Sequence, residues 1–319
     1  MSPRLARRAL LFAPMVLPLS ARAQDRPVRL LLGMPAGSTP DLLTRLLAER
    51  LQAGIGQTVV VENRPGAAGN LAAAALARSP ADGGTLGTLL GATLAINRHL
   101  YPDLPFDPAR DFTPLLRFAR FPGAVLVPPD APVQAMAGLG PWLKGLGRPA
   151  LCATPGAGTV PHLAAEMLTR ALGAPAEMVH YRGDADALRD LAAGRVQLMV
   201  APLPAALRQM EAGRLRGLAV TAAERSALAP SLPAVAETLP GFVAESWLAL
   251  GAPAGLPPAV ALRLVTQALA ALEDPALRER FAGLGAEIPA EQGEALAAVI
   301  AVEDARWGGV IRAAGISLN

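Results

Sequence analysis

The chain has 319 residues, of which 52% are hydrophobic and 17% charged, with 29 Lys and Arg against 26 Asp and Glu. This length exceeds what one simple core usually holds, so two lobes or one large α/β domain are expected. Aromatic residues make up only 4% of the chain, and no run of basic residues follows the N-terminal segment. The composition therefore excludes the basic, aromatic-rich footprint of a nucleic-acid-binding protein.

The first 23 residues have the organisation of a secretory signal peptide. Three arginines between positions 4 and 8 precede an apolar run at 9–19, and a small-x-small cleavage site follows at 21–23. The run is too short for a mature membrane span and contains two prolines, which disfavours a retained anchor. The Arg7 and Arg8 pair also resembles a twin-arginine signal, but a basic pair here is more typical of Sec export. Cleavage after residue 23 would remove four arginines and no acid, so the formal charge would change from +3 to −1.

Apolar runs and helical patterns alternate along the mature chain, which is typical of an α/β protein with mainly parallel strands. The segment 28–70 is predicted as strand, glycine-bearing loop, helix, strand and a second glycine-rich loop that leads into a helix. Further strands are predicted at residues 85–91, 113–119, 125–127, 150–154, 177–181, 196–200, 215–221 and 246–250, and further helices at 71–78, 135–145, 161–172, 185–193, 205–212, 257–272, 275–284 and 292–313.

Proline-rich stretches bound a middle unit of the chain, because proline ends both helices and central strands. We therefore predict two α/β lobes. The first lobe covers residues 24–124 and is completed by residues 246–319, whose last helix is expected to pack in the core. The second lobe covers residues 125–245.

Two loops each connect a predicted strand to the start of a helix. The first lies within 28–70, and the second contains Gly156 and Gly158, with Thr159 predicted as the helix N-cap and Pro161 in the first turn. Such loops leave backbone N–H groups unpaired near the positive end of the helix dipole, which suits an anion. The second loop lacks the third glycine of a dinucleotide-binding fingerprint. Two anion cradles are predicted, although each loop alone is also compatible with a purely structural tight turn.

The inventory of residues for catalysis or metal binding is small. The only histidines are His99, His162 and His180, and none has a partner at the spacing of metal ligands. There is no Gly-x-Ser-x-Gly elbow and no Walker lysine loop, so we predict a non-enzyme without metal or cofactor. His162, at a helix start, is compatible with a ligand-facing or a structural role. Cys152 lies in an apolar run and is predicted to be buried.

Several short segments of the mature chain together form a specific pattern. Its most specific part is ENRPG at 62–66 followed by GN at 69–70. The other segments are LGMPAGSTPD at 32–41, DG at 82–83, TLAIN at 93–97, YRGDADALRD at 181–190 and PAVAE at 233–237. These segments resemble the Bug family, the extracytoplasmic solute-binding proteins of tripartite tricarboxylate transporters, and the resemblance covers essentially the whole mature chain in order.

This resemblance implies the type II periplasmic-binding-protein fold, two α/β lobes around a central cleft in the manner of a Venus flytrap. It further implies a periplasmic monomer that captures a small organic anion, usually a carboxylate, and delivers it to a membrane permease. Two alternatives stay open: a sensory binding protein that presents its ligand to a histidine-kinase ectodomain, and a secreted enzyme that acts on carboxylates.

The resemblance also implies which residues hold the ligand. They are Met34, Ala36, Gly37, Ser38, Thr39 and Asp41 in the first loop, Thr93 in the first lobe, and Thr154, Gly156, Ala157, Gly158, Thr159 and His162 at the second loop. Two places depart from the family pattern. Ser38 replaces a glycine and Pro40 precedes the aspartate, while Ala201 and Pro202 replace a frequent Asp-Asn pair. We therefore expect the part of the ligand distal to the carboxylate to be smaller or less polar than in relatives.

Overall fold

The computed structural model describes residues 26–318, so the predicted signal peptide lies outside the described residues. The strands are β1 (Val28–Leu32), β2 (Val59–Asn63), β3 (Thr85–Leu90), β4 (Phe112–Val127), β5 (Ala150–Thr154), β6 (Ala176–His180), β7 (Leu198–Pro202), β8 (Arg216–Val220), β9 (Glu245–Pro253) and β10 (Glu291–Gln292). The helices are α1 (Thr39–Ile55), α2 (Asn70–Ala77), α3 (Gly91–Ala95), α4 (Asn97–Leu100), α5 (Met136–Lys144), α6 (Val160–Ala171), α7 (Asp184–Ala192), α8 (Leu203–Glu211), α9 (Pro258–Leu272), α10 (Pro275–Gly283) and α11 (Gly293–Ala314). Short 3-10 turns cover Ala67–Gly69 and Val235–Glu237.

The strands form one sheet with the order β2-β1-β3-β9-β4-β7-β5-β6, and β8 and β10 each pair with β4. β1 is parallel to β2 and β3, and β5 is parallel to β6 and β7, as the alternation of strands and helices predicts. β4 and β9 run antiparallel to their neighbours. The prediction of mainly parallel strands is therefore wrong at the centre of the sheet, where an antiparallel pair joins the two parallel groups.

β4 is one strand of 16 residues, whereas the sequence predicts two separate strands. Residues 112–122 pair with β9, and residues 123–127 pair with β7 and β8. Pro122 and Gly123 suggest a break because both residue types weaken a strand in isolation. In the fold, a Cβ atom on Gly123 would lie 3.0 Å from Val200 Cγ1, so glycine permits the close approach of β7. The chain changes partners at this point and passes from one group of strands to the other.

Each group of strands has its own hydrophobic core. In the first, the rings of Phe118 and Phe281 meet edge to face with their centroids 6.5 Å apart, and both side chains are fully buried. The second core includes Leu163 of α6 and Cys152 of β5, both without solvent exposure. The predicted burial of Cys152 is confirmed, and burial raises the pKa of its thiol. Each large apolar side chain buried in this way contributes roughly 1.5–3 kcal/mol to folding.

Helix α11 contacts both groups of strands. Leu296, near its start, packs with Trp247 of β9. Trp307 and Ile311, near its end, are buried in the core that contains Leu163. The predicted core packing of this helix is confirmed, since Leu296 and Trp307 expose 1% and 0% of their surface. The last helix therefore connects the two groups of strands.

Candidate functional site

A cavity of about 190 Å³ lies where the loops before α1 and α6 meet β9 and α11. Its lining residues are Met34, Pro40, Ala68, Leu90, Gly91, Ala92, Ile96, Phe121, Ala157, Gly158, Thr159, Val160, Pro161, Glu245, Ser246, Trp247, Leu248 and Glu303. Pockets for drug-sized ligands usually enclose roughly 300–1,000 Å³, so this volume fits a ligand of few heavy atoms. The lining is mainly apolar, and its charged members are both glutamates.

The loop before α1 is held in place by a buried aspartate. Asp41 exposes 2% of its surface and accepts hydrogen bonds from Gly37 N–H at 2.8 Å, Arg45 Nε at 3.0 Å and Asn63 Nδ2 at 2.8 Å. Burial disfavours the charged form, but the hydrogen bonds from Arg45, Asn63 and Gly37 outweigh it and lower the pKa of Asp41. Asn63 Nδ2 also donates to Met34 O at 3.0 Å. Asp41 and Asn63 thus hold the loop before α1 in place through these hydrogen bonds.

The loop before α6 ends in the predicted N-cap. Thr159 Oγ1 accepts from His162 N–H at 3.3 Å and donates to Gly156 O at 2.8 Å, which confirms the cap. The N–H groups of Ala157 and Val160 form no hydrogen bond within residues 26–318, and both residues line the cavity. Pro161 has no N–H to offer. The cavity lining therefore includes two residues with unpaired backbone donors, Ala157 in the loop and Val160 at the positive end of the α6 dipole.

Two neighbouring histidines, His162 and His180, stabilise the loop before α6. His162 exposes 3% of its surface, and its Nδ1 accepts a hydrogen bond from Gly158 N–H at 3.0 Å. Its ring meets the ring of His180 edge to face at 4.7 Å, and His180 Nδ1 lies 2.7 Å from Thr154 Oγ1. Burial lowers the pKa of His162 to about 4, and the neighbouring His180 adds to this effect. His162 is therefore neutral near pH 7, as its role as an acceptor requires.

Two glutamates form part of the cavity lining. Glu303 of α11 accepts hydrogen bonds at 2.6 Å from both Arg306 Nη1 and Trp307 Nε1. Glu245, the first residue of β9, is 6% exposed and accepts a hydrogen bond from Arg117 Nη2 through Oε2 at 3.3 Å. Burial raises the pKa of both glutamates. These two acids are the charged groups that a bound molecule would meet.

Sequence reasoning misses both glutamates. Glu245 borders an apolar strand, and Glu303 stands four residues before Trp307 on the buried face of a helix. An acid on an otherwise apolar face is the one local signal that could single out such residues, because buried acids need partners or ligands. Glu245 and Glu303 come together in the cavity lining only through the tertiary structure.

Four of the thirteen residues expected to contact the ligand line the cavity: Met34, Ala157, Gly158 and Thr159. Ala36, Gly37, Ser38, Thr39, Asp41, Thr154, Gly156 and His162 lie in or behind the same two loops without lining it. Thr93 is buried and lines a separate cavity of about 10 Å³. The hydroxyl of Ser38 donates to Pro35 O at 2.7 Å. Pro40, which departs from the family pattern, does line the main cavity.

Comparison with known proteins places this architecture in a family. The profile of the tripartite tricarboxylate transporter family receptor, TctC, matches residues 43–316. The protein BugT of Bordetella pertussis is 34% identical over 298 residues, which are 92% of this chain and 91% of the relative. The structure of R. palustris Rpa4515 with adipate is 36% identical, with 92% of this chain and 99% of that chain covered and a TM-score of 0.79. MatC from Rhodopseudomonas palustris with bound malate is 28% identical, with coverages of 90% and 99% and a TM-score of 0.75.

The chain belongs to the tripartite tricarboxylate transporter receptor family, whose members are periplasmic solute-binding proteins with a two-lobe fold. The resemblance to the Bug family and the two-lobe α/β fold predicted from the sequence are both confirmed. Within residues 26–318, no helix combines the length and the apolar character that a membrane span requires.

Proposed function

We propose that this protein captures a small carboxylate in the cavity between its lobes and delivers it to the permease of a tripartite tricarboxylate transporter. The observation that carries the proposal is the pair of unbonded N–H groups of Ala157, in the loop before α6, and Val160, the first residue of α6, both on residues that line the cavity. Two relatives of similar structure hold dicarboxylates, adipate and malate. Family membership supports the transport role.

The electrostatics of the cavity orient such a ligand. Among residues 26–318, no Lys or Arg lines the cavity, so a carboxylate would be held by backbone N–H groups and the dipole of α6. Hydrogen bonds to an ionised acceptor are roughly twice as strong as neutral ones, which makes a few donors sufficient. The lining also carries Glu245 and Glu303, which disfavour a carboxylate beside them. The carboxylate is therefore expected against the backbone N–H groups of the loop before α6 and not beside the glutamates.

The proposed contacts combine the cavity lining with the family pattern. We propose direct contact by Met34, Ala157, Gly158 and Thr159, with eight of the other expected residues shaping the two loops and Thr93 lying in the separate small cavity. The proposed lobes are residues 24–124 with 246–319, and residues 125–245.

We further propose that residues 1–23 are removed during export through Sec, and that the mature protein is a monomer. The mass of the exported protein and its size by light scattering test these two points.

The binding proposal is tested by titrating the chain that starts at residue 24 with linear mono- and dicarboxylates of three to six carbons. At least one acid should bind with one-to-one stoichiometry by calorimetry. At 100 times its dissociation constant, it should add about 2.7 kcal/mol to the free energy of unfolding. Absence of heat and of stabilisation with every acid would contradict the carboxylate site.

A further inference from the structure

The cavity is lined mainly by hydrocarbon. Eleven of its eighteen lining residues have aliphatic, thioether or phenyl side chains, among them Leu90, Ile96 and Phe121. Phe121 also lines a second cavity, of about 10 Å³, together with Val200 and Pro202. A bound molecule therefore meets carbon atoms over most of its surface, and burial of apolar surface is the main source of affinity that this lining offers.

The protein itself occupies three of the polar side chains in the lining. Thr159 donates its one hydroxyl proton to Gly156 O at 2.8 Å. Glu303 accepts a hydrogen bond through each of its oxygens. Glu245 accepts one from Arg117 through Oε2, and its Oε1 is buried. With the two acids ionised, none of these side chains has a donor left for a bound anion.

Ser246 and Trp247 of β9 are the other polar members of the lining. Trp247 exposes 2% of its surface, and the guanidinium of Arg117 lies over its ring, 5.5 Å from the centroid. Ser246 also lines the second cavity together with Val160, so it belongs to the part of the lining next to the start of α6. Within residues 26–318, the lining contains no lysine, arginine, histidine, asparagine or glutamine side chain that could hold a second polar group.

We propose that the ligand is a monocarboxylate with a hydrocarbon body, and that this body lies against Ala68, Leu90 and Ile96. The inference rests on the proposed function, which places the carboxylate against the N–H groups of Ala157 and Val160. Ala68, Leu90 and Ile96 line the main cavity but not the second cavity that Val160 borders, so the body extends away from the start of α6. Each methylene buried there should strengthen binding about fourfold.

The start of α3 is a poor site for a second carboxylate. Gly91 and Ala92 line the cavity there, and the first N–H groups of a helix have no helical acceptor. However, α3 has only five residues and contacts α11, which carries Glu303. An anion at the start of α3 would lose its water close to a like charge and without a cation in the lining.

The test compares end groups at one chain length by calorimetry. Hexanoate, 6-hydroxyhexanoate and adipate each have six carbons, and they end in methyl, hydroxymethyl and carboxylate. The corresponding sets of four and five carbons are titrated as well, because the span of the cavity selects the length. At the best length, the methyl compound should bind at least about tenfold more tightly than the other two, since a polar end group is buried without a matched partner.

A variant pair assigns this preference to the lining. Ala68→Asn places an amide in the lining, and the left-handed backbone at Ala68, with φ +53°, suits asparagine. Ala67→Asn is the matched control, since Ala67 is also exposed and left-handed, with φ +45°, but does not line the cavity. Ala68→Asn should reduce the preference for methyl over hydroxymethyl to within about threefold, and Ala67→Asn should keep it at about tenfold. The comparison of ligands on the unchanged protein decides the matter even if Ala68→Asn does not fold.

The outcomes separate this inference from the proposed function. If the hydroxylated or dicarboxylate compound binds as tightly as the alkanoate at every length, the inference is overturned while the carboxylate site stands. If the two variants change the preference equally, the hydrocarbon body does not lie against Ala68, and that assignment is overturned. If none of the nine compounds binds, and no acid of the broader panel does either, the proposed function itself is contradicted.

Discussion

Acid should destabilise this protein through His162 in a pH range that the structure defines. The neutral ring accepts the hydrogen bond from Gly158 N–H, and burial lowers the pKa of His162 to about 4. In the unfolded chain the pKa of histidine is about 6.5, so the unfolded state takes up the proton first as the pH falls. The stability contributed by neutral His162 is therefore complete above pH ~6.5 and is lost progressively down to pH ~4.

The size of the effect follows from the two pKa values. Between pH 7.5 and pH 4.5, uptake of this one proton by the unfolded state lowers the free energy of unfolding by about 2.5 kcal/mol. Other groups that face the ring are His180, in edge-to-face contact, and Glu166, whose Oε1 lies 4.0 Å from His162 Nε2. Carboxylates elsewhere also titrate at these pH values, so only a comparison with a variant isolates the histidine.

The assay is urea unfolding at pH 7.5 and 4.5 for the parent chain and for His162→Asn. Asparagine retains an acceptor near the position of Nδ1 but does not titrate. The loss of stability on acidification should be smaller in the variant by about 2.5 kcal/mol. Equal losses in the two proteins, within 0.5 kcal/mol or so, would refute the buried, neutral state of His162.

Two further substitutions test the loops. Asp41→Ala removes the acceptor of three hydrogen bonds. Each buried donor left without a partner costs about 1–3 kcal/mol, so we expect the free energy of unfolding to fall by several kcal/mol and carboxylate binding to weaken. Urea unfolding measures the loss, and a change below 0.5 kcal/mol or so would contradict the bracing role. Gly158→Ala places a Cβ 2.6 Å from Leu318 Cδ1 at a φ of +74°, whereas Gly213→Ala meets no atom within 4 Å at a φ of +64°. The left-handed backbone costs each variant about 1–2 kcal/mol of stability. Only Gly158→Ala should also weaken carboxylate binding. If the two variants bind the carboxylate equally tightly by calorimetry, Gly158 does not belong to the site.

The parts of the structure that depend on neighbouring residues in the chain are predictable from the sequence. Thr159 is the N-cap of α6 because a hydroxyl followed by Pro161 suits a helix start. Leu296 and Trp307 are buried because their spacing places them on one face of a helix. Cys152 is buried because it lies within an apolar strand.

Features that depend on tertiary contacts are not predictable in this way. β4 continues through Pro122 and Gly123 because β7, β8 and β9 supply partners that no local pattern reveals. The helices α3 and α4 have only five and four residues, too few to show a periodic pattern. Glu245 and Glu303 are 58 positions apart and meet only because β9 and α11 border the same cavity. The family pattern indicates the two loops, while the two glutamates of the lining come together only in the fold.

The binding role of the start of α6 is tested most directly by removing one backbone N–H. Val160 is the first residue of the helix, a position where proline is compatible with the backbone. Thr159 before it is already extended, with φ −71° and ψ 155°, as a residue before proline must be, and Ser38, the N-cap of α1, has nearly the same angles, φ −70° and ψ 158°. Val160→Pro should keep the helix content and weaken binding of the tightest carboxylate by about tenfold or more, since a hydrogen bond to a charged group is lost. Val160→Ala, which retains the N–H, should bind within a few fold of the parent. Equal affinities of Val160→Pro and Val160→Ala by calorimetry would contradict the account.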